Sequence, residues 1–524
     1  MARGPIAIAA HKNHHREAHW LIPAVVVTAL TLGPILVIAF RAQGFGRIGV
    51  AEFAALKFTL IQAFLSATIC IAFAIPTARA LARRQFWGRG AVTILLGAPF
   101  ILPVIVAVLG LLMIFGRSGV VSAGLMAFGF EPLHIYGLWG VVMAHVFFNL
   151  PLATRFLLQA WASVPEENYR LAESLGLDGR DALRQLERPL IKDTVPGVFV
   201  LIFLLCLTSF AVVLALGGGP KATTLELAIY EAFQYEFDLG QAAVLALLQF
   251  VLCLGVAIVG LKFGLPNVSN RPLLARGVRG LFQSGWSKGL DALLIAAVSG
   301  FLILPMAAIF MRGAAEVFSL PSVVWEAALN SLVIAVLSTG GVFLLALPIA
   351  YSAGGGLRAV EPIGFFSLAV SPLVVGTGLF IVIFPMAKPQ DFALPITALV
   401  NGVMVLPFVL RILVPDMRML RDDYDRLSRA LGVRRGTWLR VVAFPRLRPA
   451  LGFSAGLSMA FSLGDLGIVA LFADPDFATL PLMLYRLMAA YKMEAASGAA
   501  VLLLMLALLV FWLFDLWGRR NVEA

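Results

Sequence analysis

The chain has 524 residues, 60% of them hydrophobic and only 13% charged, against roughly a quarter charged in an ordinary soluble domain. Too little polar surface remains to cover a water-soluble body of this size, so the bilayer is the solvent. A formal charge of +11 raises nucleic acid as a partner in a soluble protein, but here the basic residues lie between apolar runs, which excludes that use.

In chain order, residues 1–20 form a basic leader in which His11, His14, His15 and His19 stand beside Lys12 and Arg16. Contact with anionic headgroups fits this composition better than a metal site. Residues 21–40 are too long an apolar run for a cleaved signal and read as an anchor. Runs able to cross the membrane, each of about 20 helical residues, follow at 59–80, 91–115, 138–158, 197–216 and 241–263. A polar linker, 264–289, precedes six more at 290–311, 329–351, 363–384, 394–413, 451–472 and 497–517. The expected fold is an all-α polytopic membrane protein of about twelve spans. Its parts are a tail (1–20), a first half (21–263), the linker (264–289), a second half (290–517) and a tail (518–524).

With the N-terminus inside, 31 of the 40 Lys and Arg fall on the cytoplasmic side and nine on the other, which orients the chain and places both termini in the cytoplasm. Cys70, Cys206 and Cys253 fall inside spans without metal or redox spacing and read as packing residues. His145, with Asn149 one turn on, is an ionisable group within a span and therefore a candidate for the translocation path.

Between the fourth and fifth spans lies a cytoplasmic segment of about 38 residues, far above the usual loop of a few residues. It reads as two short helices. Ser163-Val164-Pro165-Glu166 has the form of a capping box, Gly176 ends the first helix, and the second runs to Pro189. Downstream, the loop Gly217-Gly218-Gly219-Pro220-Lys221-Ala222-Thr223-Thr224 fails the spacing of a phosphate loop, and no other stretch supplies one. ATP is thus not expected to bind this chain.

The segment from Asp416 to Arg448 repeats the first hairpin's layout, with Asp422 and Asp423 early, Gly432 as the break and Pro445 at the return. Asp465 then lies mid-span, where a charged carboxylate costs roughly 2.5–3.5 kcal/mol. Two roles compete for it: contact with a cationic substrate, or a structural hydrogen bond around Gly464 and Gly467.

The two halves are copies. Leu150-Pro151 and Arg155 answer to Leu406-Pro407 and Arg411, Gly176 to Gly432, and Pro189 to Pro445, all at an offset of 256. Pro76 answers to Pro348 at 272, so the first half carries 16 extra residues, placed in the loop 117–136. Six spans per half give both halves one orientation, with a pathway expected at their interface.

The duplicated hairpins resemble the coupling loops of ABC importer permeases of the maltose-transporter type, whose pattern is Glu-Ala-Ala, three residues, Gly, and Pro 13 residues beyond. Arg170-Leu171-Ala172 and Arg426-Leu427-Ser428 stand at the Glu-Ala-Ala positions; Gly and Pro match in both halves and Glu in neither. The resemblance implies that these loops seat in an ATPase subunit, with Arg170 and Arg426 or their neighbours making the charge contact.

Over nearly the whole length the chain is similar to thiamine ABC importer permeases, on Ala144-His145-Val146-Phe147-Phe148-Asn149-Leu150-Pro151, on Leu216 to Thr224 with Glu226-Leu227-Ala228-Ile229-Tyr230, and on Ser462 to Phe472. The likeness implies a type I importer subunit in the bacterial inner membrane, without covalent chemistry or a cofactor or metal of its own. ATP and Mg would bind two copies of a partner ATPase. A periplasmic binding protein would touch an outer rim at Lys221, Thr223, Thr224, Asp474, Asp476 and Thr479, although ordinary turns explain those residues equally well. Fused ferric-iron permeases share the architecture. A twelve-span secondary facilitator, favoured by Arg83-Arg84-Gln85-Phe86-Trp87-Gly88-Arg89 between spans two and three and by the central linker, has no need of matched hairpins.

Overall fold

The computed structural model describes residues 20–42, 49–97, 101–177, 181, 183–263, 285–355, 370–472 and 477–519. The histidines of the leader, residues 264–284 of the linker, and Asp474 and Asp476 lie outside the described residues. All regular structure among those described is helical.

The first half contains α1 (Leu21–Arg41), α2 (Val50–Arg83), α3 (Arg89–Leu95), α4 (Val104–Phe115), α5 (Val120–Ala127), α6 (Leu138–Ala162) and α7 (Glu166–Ser174). It continues with α8 (Arg188–Leu207), α9 (Ala211–Leu216), α10 (Leu225–Gln234) and α11 (Leu239–Phe263). The second half contains α12 (Gly285–Gly313), α13 (Ser322–Gly354), α14 (Pro372–Ile383), α15 (Ala393–Ala430), α16 (Phe444–Leu463), α17 (Gly467–Phe472), α18 (Leu480–Ala489) and α19 (Met493–Arg519). The offset of 256 reappears in coordinates: α8 and α9 map onto α16 and α17 residue for residue.

Eleven helices among the described residues are long and apolar enough to cross a membrane. The span expected at 363–384 begins outside the described residues, and its described part is the 12-residue α14. Three expected spans are not continuous. The run 91–115 is helical as α3 only to Leu95 and again as α4 from Val104, with Ile101–Pro103 outside any helix, so the crossing segment there is Val104–Ala127. The run 197–216 breaks at Thr208–Phe210 between α8 and α9, and the run 451–472 breaks at Gly464–Leu466 between α16 and α17. Apolar composition shows that a segment is buried but does not reveal an interruption that other side chains can satisfy.

Each half lends its first helix to the other. α1 packs on α14 and α12 packs on α4. The contact is a proline against a glycine in both places: a Cβ on Gly110 would stand 2.7 Å from the Pro305 carbonyl oxygen, and one on Gly378 would stand 2.5 Å from Pro34 Cβ and from its carbonyl oxygen. Backbones meet where there is no side chain to hold them apart. At the basic face, Arg83, the last residue of α2, and Arg84 just beyond it donate to Asp291 of α12 at 2.9 and 2.7 Å, a second tie between the halves.

Gly110→Val and Gly378→Val are each expected to lower stability by about 2 kcal/mol or more, as overpacking does. Gly340→Val, where a Cβ meets nothing within 4 Å, is the control. Thermal unfolding in detergent checks this, and three equal melting temperatures would contradict it.

Candidate functional site

The hairpins protrude from the basic face. In the first, α7 ends in a left-handed glycine: Gly176 has φ 69°, the Leu177 N–H donates to the Ala172 carbonyl and the Gly176 N–H to that of Glu173. In the second, Gly432 has φ 64°, with Val433 donating to Ser428 and Gly432 to Arg429. This is the Schellman closure, and a residue with a Cβ would strain it. The carbonyls of Ala172 and Ser428 are thereby occupied.

Other details of the hairpins differ from expectation. No capping box forms at Ser163: its hydroxyl donates back to the Ala160 carbonyl, and Pro165 stands at the cap position of α7. In the second half the first arm is no separate helix, because α15 runs 38 residues without a break from the membrane segment to Ala430. Nor does either second arm stop at its proline. Pro189 and Pro445 sit in the first turns of α8 and α16, each just after a π-helical turn, Leu183–Glu187 and Leu439–Ala443. A proline cannot donate to the carbonyl four residues back and crowds it, and the widened turn removes that conflict. Each second arm therefore continues into a spanning helix.

Leu171 and Leu175 are exposed at one tip, and Leu427 and Leu431 at the other. They are four residues apart, on one face of a helical turn. Arg170 and Arg426 flank them. Leu175 and Leu431 were not singled out from sequence, although their spacing from Leu171 and Leu427 carries the signal.

Each hairpin is fastened to the end of a spanning helix, by different chemistry. In the first half Arg79 of α2 pairs with Glu187, whose side chain is 1% exposed. Tyr169 is buried beside them, and burial, helped by the Glu187 charge, pushes its phenol up to about 12. In the second half Arg421 donates to the Tyr351 carbonyl at 2.9 Å and lies 4.5 Å over its ring, and Trp438 packs edge-on against the same ring.

Deeper in, the breaks are matched by polar side chains. Gln62 donates to the Cys206 carbonyl and Gln249 to that of Leu207, both at 2.9 Å, replacing partners the helix no longer supplies. Across the pseudo-axis Asn401 donates to Ser462 Oγ at 3.2 Å, and Asp465 Oδ1 accepts from the Gly467 N–H at 3.3 Å. The other oxygen of Asp465 is buried without a hydrogen-bond partner.

Beyond each break the chain folds back into the bundle. α10 and α18 have ten residues each, about 15 Å, too short to cross. Their first turns are pinned alike: the Leu225 N–H donates to Thr59 Oγ1 at 2.9 Å, and the Leu480 N–H to Ser331 Oγ at 2.8 Å. Thr59 is nine residues, about 13 Å, into α2, so these are re-entrant helices. Of the residues named for the outer rim, Thr223, Thr224 and Thr479 are buried at the re-entrant starts, and only Lys221 is exposed among the described residues.

His145 and Asn149 lie inside the first half's own packing. Ser66 Oγ stands 3.3 Å from His145 Nδ1, and Asn149 donates to the His145 carbonyl at 2.9 Å and approaches Cys206 Sγ. Gln62, Gln249, Thr59 and Ser331 were missed from sequence; glutamines inside apolar spans were the available signal.

Arg79→Ala is expected to cost about 3 kcal/mol or more, because it strands the buried Glu187, and to speed hydrogen exchange across residues 166–176. Unchanged exchange there would show that the pair does not fasten the hairpin.

Residues 70–263 match the family of binding-protein-dependent transport system inner membrane components. Over its length the chain is 36% identical to the thiamine transport system permease protein of Escherichia coli strain K12, covering 96% of this chain and 98% of that one. The corresponding permease of Brucella abortus strain 2308 is 35% identical, with 95% and 94% covered. A protein provisionally named as a ferric transport system permease in Haemophilus influenzae is 24% identical, over 74% of this chain and 64% of that one. With its duplicated hairpins and broken spans, and with a likeness of 36% over nearly the whole of both chains, this multi-pass inner-membrane chain belongs to the family of thiamine transport system permeases.

Proposed function

We propose that this chain is the transmembrane subunit of an ABC importer that passes thiamine or its phosphates from a periplasmic binding protein into the cytoplasm. The observation that carries the reading is the 36% identity that runs through both halves, hairpins and broken spans included. The basic face, with its hairpins and both termini, is cytoplasmic by the distribution of Lys and Arg.

Two hairpins of one design suit two copies of a separate ATPase, which binds ATP and Mg. The exposed leucine pairs, Leu171 with Leu175 and Leu427 with Leu431, enter an apolar groove of each copy, and Arg170 and Arg426 meet charge at its rim. Closure of the ATPases moves the hairpins as rigid levers, because the Schellman turns fix their tips. The clasps Arg79–Glu187 and Arg421–Tyr351 pass that motion to α2 and α13, and the continuous second arms pass it to α8 and α16. The breaks at Thr208–Phe210 and Gly464–Leu466 are where the spanning helices flex, opening the interface between halves to one side and then the other.

In proteoliposomes carrying the chain with its ATPase and binding protein, thiamine-loaded binding protein is expected to raise ATP hydrolysis about ten-fold over the empty protein, a coupling of roughly 1.4 kcal/mol. Comparison of thiamine, its monophosphate and its diphosphate ranks the substrates. Stimulation by an iron-loaded binding protein and none by thiamine compounds would overturn the reading in favour of a ferric importer.

A further inference from the structure

Glu226, in the first turn of the re-entrant helix α10, is 0% exposed, and neither carboxylate oxygen has a hydrogen-bond partner. Gln249 of α11 and Ser371, which caps α14 in the other half, adjoin it. The amide oxygen of Gln249 is likewise buried and unpaired, since its nitrogen is committed to the Leu207 carbonyl at the break. Both carboxylate oxygens of Glu226 and the amide oxygen of Gln249 are thus buried without a hydrogen bond. A buried carboxylate left in this state is among the costliest groups a helical bundle can hold, and Gln or Leu would pack there more cheaply.

The surroundings indicate what would satisfy it. Tyr230 lies one turn along the same face of α10, and its ring meets Phe210, at the break, with centroids 5.2 Å apart. Aromatic faces attract cations and suit flat ones that are weakly hydrated. A bare metal ion fits poorly: no group of three or more His, Cys, Asp or Glu side chains able to hold one occurs among the described residues. The position is also one that transport must alter, because first-half and second-half elements, α10, α11 and α14, meet there.

We propose that Glu226, with Gln249, Ser371 and the rings of Phe210 and Tyr230, forms a subsite for a flat organic cation bearing N–H donors, at the junction of the two halves. Given the thiamine reading above, on which this rests, the cation is the thiazolium ring and the donor its aminopyrimidine. The carboxylate balances the charge during passage, and Gln249 Oε1 accepts from the amino group.

The test uses the full transporter in proteoliposomes, with uptake normalised to ATP hydrolysed. Two substrates are compared: thiamine, and its neutral analogue in which a thiophene ring replaces the thiazolium. Glu226→Gln is expected to slow thiamine uptake about ten-fold, the scale of one lost charged contact, while analogue uptake stays within about two-fold. Glu226→Asp is expected to keep the preference for thiamine. If the Gln variant fails to assemble, Tyr230→Leu supplies the same comparison, again with thiamine uptake falling and analogue uptake holding. Equal losses for both substrates would mark Glu226 as a packing group and overturn the proposal, as would no loss for either. A wild-type transporter that moves no thiamine would instead overturn the transport reading beneath it.

Discussion

Inside a bilayer every backbone N–H and C=O must find a partner within the protein, since lipid offers none. The breaks after Leu207 and Leu463 are where this chain meets that constraint without a continuous helix. In the first half two glutamine side chains reach from neighbouring helices, Gln62 and Gln249, to the carbonyls of Cys206 and Leu207. In the second, the Gly464 N–H returns to the Ala460 carbonyl, and Asp465 receives the Gly467 N–H. Because the breaks are satisfied, the chain can turn back, seat α10 and α18 on Thr59 and Ser331, and bring irregular backbone to the centre of the bundle.

The halves share a framework and differ in its chemistry. The helices around the breaks, the break positions, π-turns, glycine stops and the proline–glycine contacts of α1 and α12 all repeat. The groups that satisfy or fasten them do not. A buried ion pair holds one hairpin where an arginine over a tyrosine ring holds the other, and the first break has Gln62 and Gln249 on its carbonyls where the second has Asn401 on the Ser462 hydroxyl and Asp465 on the Gly467 N–H. Duplication fixed the geometry, and each copy then needed only some partner of suitable polarity. Glu226 falls outside this scheme: the second half has Pro481 at the matching turn of α18, so the carboxylate serves one half alone.

The helical, membrane-spanning character and the duplication were legible in the sequence, because both rest on composition and on residues with fixed roles. Gly176 and Gly432 were readable as helix stops because a left-handed turn favours glycine. The breaks were not legible. Thr208-Ser209-Phe210 continues an apolar run, and what stops the helix there is the availability of Gln62, nearly 150 residues away. The same holds for Thr223, Thr224 and Thr479, which read as loop residues at a rim because no local pattern shows that a short helix re-enters the bundle. His145 was singled out as a lone ionisable group, although Ser66, which meets its ring in the fold, is 79 residues distant.

If the hairpins are handles moved by an outside motor, the distance between them must follow the nucleotide state. Glu173 and Arg429 are exposed near the tips and related by the repeat, and the three native cysteines are buried, so spin labels at Glu173→Cys and Arg429→Cys report that distance cleanly. Electron–electron double resonance on the assembled transporter should show the labels drawing together when ATP replaces ADP, and separating again after hydrolysis. One distance distribution in every nucleotide state, while substrate is still being moved, would contradict the account.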